Sequence, residues 1–275
     1  MHKLTLITAA AATLGTASPA LAQNVDYSGF YVGGQIGKTF NTDSSRETVL
    51  FDNNLDGSFG DNVFTAAGAN AFSPGFCGGT ASTAMAAGGC NDDDGNKYEW
   101  GIHAGLDHDF GGPVVGIVAE YSRPGIEDAV TAFSTTPANY VLSRELRNTM
   151  ALRIRMGGQV AGFLPYVTTG IVRAKVRSGF STSNTANQFS TSGSSDNALG
   201  FQVGGGVERK FGAFAIGARY LYTNVDDDDF RVNVTRGTAP ATNPFVRVNE
   251  NGTQFRRSDD QLDYHAVALT GSFRF

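Results

Sequence analysis

The sequence LDYHAVALTGSFRF, which spans Leu262–Phe275, alternates with the two-residue period of a β-strand. One register is mostly apolar and consists of Val267, Leu269, Gly271, Phe273 and Phe275. The other is small or polar and consists of Ala266, Ala268, Thr270, Ser272 and Arg274. Such a strand predicts a sheet with an apolar environment on one face and a polar environment on the other.

Residues 1–22 have the composition of a secretory signal peptide. A short basic start at Met1-His2-Lys3 precedes an apolar run from Leu4 to Leu14 and the small-residue cleavage site Ala20-Leu21-Ala22. We therefore expect an exported mature domain that covers residues 23–275. A membrane-spanning helix needs about 20 consecutive apolar residues, and the chain contains no such run.

Eight segments repeat the alternation of the last strand. They lie at 27–40, 98–110, 115–122, 145–156, 166–176, 199–210, 214–222 and 262–275. Short turns at 111–113, 159–164 and 211–213 alternate with long polar segments at about 41–97, 123–142, 178–197 and 224–260. This sorting predicts an all-β fold: an eight-stranded antiparallel up-and-down transmembrane β-barrel with short periplasmic turns and long extracellular loops. We expect the loops either to be mobile or to extend as hairpins, and to carry any extracellular ligand.

Several stretches resemble one family of membrane proteins. GFYVGGQIG (29–37), PYVTTGIV (165–172), GARYLY (217–222) and the terminal GSFRF (271–275) are similar to the Gram-negative outer-membrane β-barrel family, which includes the OmpA-like transmembrane domain and the opacity-type surface proteins. The resemblance implies a location in the outer membrane, contact with its lipid and lipopolysaccharide, and recognition of Phe273 and Phe275 by the barrel-assembly machinery. These motifs are structural patterns, so they indicate architecture and location rather than an activity.

The polar faces of the segments predict a charged lumen. The expected network comprises Glu99, His103, Asp107, Glu120, Glu145, Arg147, Arg153, Arg155, Arg173, Lys175, Glu208, Lys210 and Arg219. An eight-stranded barrel is just wide enough for its own side chains, and buried charges must be paired. The nearly balanced signs favour a salt-bridged plug, although a narrow ion pathway is the alternative.

Aromatic residues near the segment ends predict an interfacial belt. These residues are Tyr98, Trp100, Tyr121, Tyr166, Tyr220 and Tyr222. The only cysteines, Cys77 and Cys90, predict a disulfide in an exported chain. A metal pair is the weaker alternative because neither cysteine has a histidine nearby.

Other motifs do not support a cofactor, a metal site or nucleic-acid binding. The glycine-rich run at 33–39 lacks the first glycine of a phosphate-binding loop. The acidic run at 92–94 fails the calcium-loop spacing, and for this run and the one at 226–229 a solvated loop is the expectation, with weak divalent-ion binding as the alternative. The net charge of −5 gives no reason to expect nucleic acid.

The sequence favours a non-enzymatic protein that contributes to envelope integrity and surface interaction. Two groups are candidates for an acid–base site. In Asp107-His108-Asp109 the histidine points away from its two aspartates in a strand, and Asp263 and His265 share a face but have no serine placed beside them by sequence. A small porin is the main alternative function, and an outer-membrane surface enzyme is a further one.

Overall fold

The regular secondary structure of the described residues is almost entirely β-strand. The structure, a computed structural model, describes residues 25–41, 47–91, 97–193, 197–227 and 230–275, so the predicted signal peptide (1–22) and the acidic run at 92–94 lie outside the described residues. In chain order the strands are β1 (Gly29–Asn41), β2 (Val49–Asp52), β3 (Gly75–Gly78), β4 (Thr80–Ala81), β5 (Cys90–Asn91), β6 (Lys97–Asp109), β7 (Pro113–Arg123), β8 (Ile126–Ser134), β9 (Ala138–Gly158), β10 (Phe163–Thr182), β11 (Gln188–Ser192), β12 (Ala198–Phe211), β13 (Phe214–Asp226), β14 (Arg231–Thr235), β15 (Thr253–Arg257) and β16 (Gln261–Arg274). Short 3₁₀ turns lie at Ala86–Gly88 and Pro244–Val246. Among the described residues, no helix has the length and apolarity required to cross a membrane.

Eight of these strands close into a barrel. All neighbours are antiparallel, in the order β1–β6–β7–β9–β10–β12–β13–β16, and β16 pairs back with β1. Short turns at 110–112, 159–162 and 212–213 lie at one end, which we call periplasmic in keeping with the predicted orientation. The predicted eight-stranded antiparallel barrel is therefore confirmed.

The outer surface of the barrel is apolar and tall enough to match a bilayer. On β1, the outward side chains Phe30, Val32, Ile36 and Phe40 are 36–67% exposed, and Lys38 is the charged residue of this face, near its extracellular end. The ten residue steps from Phe30 to Phe40, at about 3.3 Å each and with a tilt of about 40°, correspond to a height of about 25 Å. An apolar band of this height needs lipid around it.

The long connections fold into a β-sandwich above the extracellular end. The first half of β9 pairs with β8 and with the last part of β10, and β3 extends the edge of β8, so this wall of the barrel continues upward as a sheet. A second sheet has the strand order β11–β14–β15–β2. The core of the sandwich contains Val49, Phe51, Val63, Ala71, Phe72, Val130, Ala132, Ala138, Tyr140, Leu142, Phe230, Val232, Val234, Phe245 and Phe255. The described parts of the long loops thus form hairpins, which is one of the two alternatives that the sequence left open.

Two apolar layers bracket the charged part of the lumen. Tyr27, Val114 and Leu164 pack together at the periplasmic mouth. A larger layer lies towards the extracellular end and contains Ile126, Leu146, Ala151, Val172, Ala174, Val176, Ala198, Leu221, Val225, Leu262, Tyr264 and Ala266. The lumen is consequently polar only between these layers.

The faces of β10 are the reverse of those predicted. Val172, Ala174 and Val176 point inward and are buried, whereas Arg173 and Lys175 point outward and are exposed. The sequence interpretation placed these apolar residues in lipid because it assumed a polar lumen throughout. Arg173 and Lys175 are therefore not part of the lumenal network.

A β-bulge corrects the assignment of β9. Lys175 pairs with Asn148 but Val176 pairs with Leu146, so Arg147 has no counterpart across the ladder. Since a one-residue shift exchanges the faces of a strand, Leu146 is buried inside while Glu145 is partly exposed. Glu145 and Arg147 instead form an ion pair with each other, with Nε 3.2 Å from Oε2.

Candidate functional site: the ion-paired lumen

Two arginines and two carboxylates form a closed cluster near the periplasmic end of the lumen. Arg155 donates from Nε to Asp107 Oδ1 at 2.8 Å and from Nη1 to Glu208 Oε2 at 3.2 Å. Arg274 Nη2 donates to Asp107 Oδ2 at 2.7 Å and to Glu208 Oε1 at 2.8 Å. Each arginine thus contacts both carboxylates, and this lower ring has no net charge.

Aromatic and glycine residues shape the lower ring. The ring of Tyr31 lies 4.9 Å from the guanidinium carbon of Arg155 and 4.5 Å from that of Arg274, which places it between two cations. A Cβ at Gly105 would lie 2.3 Å from Tyr31 Cζ, and one at Gly116 would lie 1.9 Å from Asp107 Oδ1. These strand glycines make room for side chains that reach across the lumen.

A second cluster lies directly above the first. Arg153 Nη2 donates to Glu120 Oε2 at 2.6 Å, and Arg219 Nη2 lies 3.1 Å from Glu120 Oε1 and 3.4 Å from Glu99 Oε1. Arg153 also donates to Gln202, whose Nε2 donates to Thr223 Oγ1 at 3.0 Å. The upper ring (Glu99, Glu120, Arg153, Arg219) again pairs two cations with two anions.

The remaining lumen is small. A cavity of about 30 Å³ lies among side chains of the two rings, His103 and Tyr166. Such a volume holds one or two water molecules. His103 Nδ1 lies 2.9 Å from Gln35 Oε1, so the imidazole is held by a neutral partner.

The rings suit the lumen for rigidity rather than for passage. Buried arginine–carboxylate pairs are stable only when both partners remain in place, because a lone buried charge is costly. An ion crossing the lumen would have to separate these pairs and pass two apolar layers.

The structure brings most of the predicted network together. His103 lies beside the rings, and the predicted residues that belong to them are Glu99, Asp107, Glu120, Arg153, Arg155, Glu208 and Arg219. Lys210 is at the periplasmic mouth, where it donates to the carbonyl oxygen of Asp26. Glu145, Arg147, Arg173 and Lys175 lie outside the lumen, as described above.

Sequence reasoning missed Arg274, Tyr31 and Gln202 as members of the site. Each lies in the inward register of its strand, with Arg274 alternating with Ser272 and Thr270 in β16. This position was a usable signal for Arg274. No sequence signal indicated the partners of Arg274, because Asp107 is 167 residues away along the chain.

A third ion-pair cluster joins the sandwich to the barrel. Arg257, at the end of β15, donates from Nε to Glu47 Oε1 at 2.6 Å and from Nη2 to Asp128 Oδ2 at 2.5 Å. Arg144 Nε donates to the same Asp128 Oδ2 at 2.8 Å, and its Nη2 donates to Asp259 Oδ2 at 2.9 Å. Apart from Arg144, the residues of this interdomain cluster lay in segments predicted to be loops, and their long-range partners gave no sequence signal.

The carboxylates of the interdomain cluster differ in proton affinity. Burial acts to raise the pKa of Asp128, but the guanidinium groups of Arg257 and Arg144 outweigh it and hold that pKa below its usual value. Burial raises the pKa of Glu47, and the nearby Arg257 offsets this only in part. Of these two carboxylates, Asp128 is therefore the one that the folded state holds more firmly in its charged form.

The predicted disulfide joins two strands of the extracellular region. Cys77 in β3 is bonded to Cys90 in β5, with their Cα atoms 6.1 Å apart. The bond closes the segment between these strands.

The residues of the two candidate acid–base groups make other contacts. Asp107 belongs to the lower ring, His108 packs on Phe110 with ring centroids 4.4 Å apart, and Asp109 Oδ1 accepts from the backbone of Gly111 at 2.8 Å in the turn. Near the outer rim, His265 Nδ1 lies 2.7 Å from the hydroxyl of Tyr220. Tyr222 donates to Asp263 at 3.4 Å.

Aromatic side chains mark both rims of the lipid-facing surface. Phe273 and Phe275 point outward at the periplasmic end, with ring centroids 5.1 Å apart. Trp100 and Tyr121 form an edge-on pair nearer the extracellular end, with centroids 6.4 Å apart. Tyr166, predicted to belong to this belt, instead points into the lumen, where its ring lies 5.1 Å from the Arg155 guanidinium. The reversal of β10 explains this error.

Comparison with known proteins identifies similar β-barrel proteins. The profile of the outer membrane protein beta-barrel domain matches residues 7–275. No protein of curated function matches the chain. One similar solved structure is the outer membrane protein OprG from Pseudomonas aeruginosa, with 11% sequence identity, coverage of 91% of this chain and 98% of that chain, and a TM-score of 0.43. Another is the outer membrane protease OmpT from Escherichia coli, with 9% identity, coverage of 90% of this chain and 97% of that chain, and a TM-score of 0.41. The translocator domain of the autotransporter NalP from Neisseria meningitidis is also similar (11% identity, 92% and 91%, TM-score 0.31).

Proposed function

Because the chain belongs to the outer membrane protein β-barrel family, we propose that it is a non-conducting barrel that stabilises the envelope and displays a folded β-sandwich at the cell surface. The family implies a location in the outer membrane of a Gram-negative bacterium. The proposal concerns what the barrel does there.

The observation that carries the proposal is the filling of the lumen. The lower and upper rings each pair two arginines with two carboxylates. A conducting pore lined by charge would need groups free to exchange their partners with passing ions. Here the partners are buried, and the adjoining layers are apolar.

Single-channel recording tests the proposal directly. The refolded mature chain is inserted into a planar bilayer, and the slower gel mobility of the protein after boiling verifies that the inserted protein was folded. We expect no steady openings. Reproducible openings whose ion selectivity changes in Glu120→Gln or Arg153→Gln, but not in the outward-facing control Arg209→Gln, would make the protein a small porin.

The arrangement of histidines supports a non-enzymatic role. His265 contacts Tyr220, and His108 packs on Phe110. In neither contact does the imidazole meet a serine, threonine or cysteine side chain, which are common nucleophiles activated by histidine.

The proposal also covers the binding partners of the barrel and of the sandwich. The exposed aromatic end of β16, with Phe273 and Phe275, suits recognition by the barrel-assembly machinery. The sandwich suits the binding of an extracellular ligand because its two sheets hold the connecting loops on a rigid support. Outer-membrane lipid and lipopolysaccharide surround the apolar belt.

A further inference from the structure

Four cations converge on the outside of the barrel wall. Arg123 of β7, Arg147 of β9, and Lys175 and Arg177 of β10 line an open groove of about 570 Å³ together with Asn148 and Ser178. No acidic residue lines the groove among the described residues. Glu145 contacts Arg147 from beside it and pairs across the ladder with Arg177, and the cations that line the groove outnumber this carboxylate.

The groove arises where the barrel passes into the sandwich. β7 pairs with β9 and ends at Arg123, and β8, which begins at Ile126, is the next strand to pair with β9. Gly125, between β7 and β8, has a φ of +63°. The bulge at Arg147 lies opposite this change of strand. The irregular backbone opens a notch in a wall that is otherwise continuous.

The position of the groove coincides with the outer edge of the lipid-facing belt. On the periplasmic side of it, the outward residues are apolar, including Met150, Leu152 and Ile171, each more than half exposed. Arg123 pairs across the ladder with Trp100, which stacks edge-on with Tyr121. Tryptophan and tyrosine mark the level of lipid headgroups.

We propose that this groove binds a phosphorylated lipid of the outer leaflet, with the phosphate on the cations and the acyl chains on the apolar surface below. Guanidinium groups form paired hydrogen bonds with phosphate oxygens. Arg173, Lys175 and Arg177 point outward at successive alternate positions of β10, about 7 Å apart, so they form a row of cations that rises along the strand through the headgroup layer. The proposal is independent of whether the lumen conducts.

Lipid titration of the refolded mature chain in a neutral detergent tests this site. The probes are phosphatidic acid, phosphatidylcholine as the zwitterionic control, and inorganic phosphate, with bound lipid counted by native mass spectrometry. We expect phosphatidic acid to bind in preference to phosphatidylcholine and to be weakened by salt. The double variant Arg147→Gln, Arg177→Gln should lower its affinity roughly tenfold.

A matched double variant separates this site from general charge effects. Lys38→Gln, Arg209→Gln removes the same charge from exposed outward positions on β1 and β12, and it should leave the affinity unchanged. Equal losses in both variants, or equal binding of the two lipids, would overturn the proposal. If inorganic phosphate displaces the lipid at matched concentration, the groove is a phosphate site instead. Polyglutamate is a further probe, and a protein that binds polyglutamate but not phosphatidic acid would indicate an acidic protein partner.

Discussion

At the residue scale, charge neutrality governs the lumen. Each ring pairs two arginines with two carboxylates, and the carboxylates that link the arginines, Asp107, Glu208 and Glu120, each contact both cations of their ring. Removing one member leaves a buried charge without compensation, whereas removing one of each sign keeps the balance. The free energy of unfolding should therefore depend on the sum of charges rather than on any one contact.

Substitution of Arg274 by methionine tests the lower ring. Arg274→Met should lower the free energy of unfolding by about 3–5 kcal/mol, because Asp107 and Glu208 would share a single guanidinium. Arg274→Met with Glu208→Gln should recover a large part of that loss. Urea unfolding of the protein refolded in vesicles measures both changes.

Arg209 provides the control for this experiment. It points outward, with its guanidinium 5.0 Å from the ring of Phe163 and 5.2 Å from that of Phe211. Arg209→Met should cost no more than about 1 kcal/mol. A loss in Arg274→Met no greater than this would contradict the charge-balance argument.

At the element scale, β9 and β10 serve two structures. Their periplasmic halves form the barrel wall, and their extracellular halves carry one sheet of the sandwich. The bulge at Arg147 divides the two parts and reverses the faces of β9 there. The interdomain cluster around Asp128 then fixes the second sheet to this extended wall.

Acidification should loosen the interdomain cluster through Asp128. Its folded-state pKa lies below the ordinary value of 3.8, so its stabilising contribution is complete above that pH and is lost as the pH falls through the lower, folded pKa. The raised pKa of Glu47 acts with the opposite sign and favours the folded state as the pH falls. Hydrogen exchange of β14 and β15, corrected for intrinsic rates, should show wild type more protected than Asp128→Asn at neutral pH and should show this difference shrinking below about pH 3.8.

The neighbouring Glu127 gives a matched control on β8. Its pair with Lys97 is partly exposed, with Oε2 3.0 Å from Nζ, and Glu127→Gln should change exchange little at any pH. A difference between wild type and Asp128→Asn that persists unchanged at low pH would exclude ionisation of Asp128 as its source.

At the scale of the whole molecule, the barrel and the sandwich have separate apolar cores. The barrel is supported from outside by lipid and from inside by the rings, whereas the sandwich has an aromatic core in water. Phe255 is fully buried there, with ring centroids 5.7 Å from Phe51 and 5.5 Å from Phe180. The two parts should therefore lose structure separately.

Truncation of Phe255 tests this independence. Phe255→Ala should destabilise the sandwich by about 3–5 kcal/mol, seen as faster proteolysis above the membrane. The barrel should keep the mobility of a folded protein on a gel run without boiling. Val248→Ala, at a side chain that is 60% exposed, is the control. Simultaneous loss of barrel and sandwich in Phe255→Ala would show that they form one cooperative unit.

Much of this architecture was accessible from the order of residues. Alternation in segments such as Leu262–Phe275 predicted the eight barrel strands, because the side chains of a strand change face at every residue. The same alternation placed Asp107, Glu120 and Arg153 inside the lumen. Alternation is a local property, so it needs no knowledge of the partners.

Only the tertiary structure decided which environment each face meets. The interior of the barrel is apolar at both ends and charged between them, so the inward face of β10 is apolar where it meets the extracellular layer. The bulge at Arg147 likewise depends on how β9 pairs with β10, and the contact of Arg219 with Glu120, 99 residues away, joins strands on opposite walls. The sequence by itself determined that a two-faced barrel forms, whereas the partners across the lumen, the sandwich and the cationic groove follow from contacts between distant segments that no local pattern encodes.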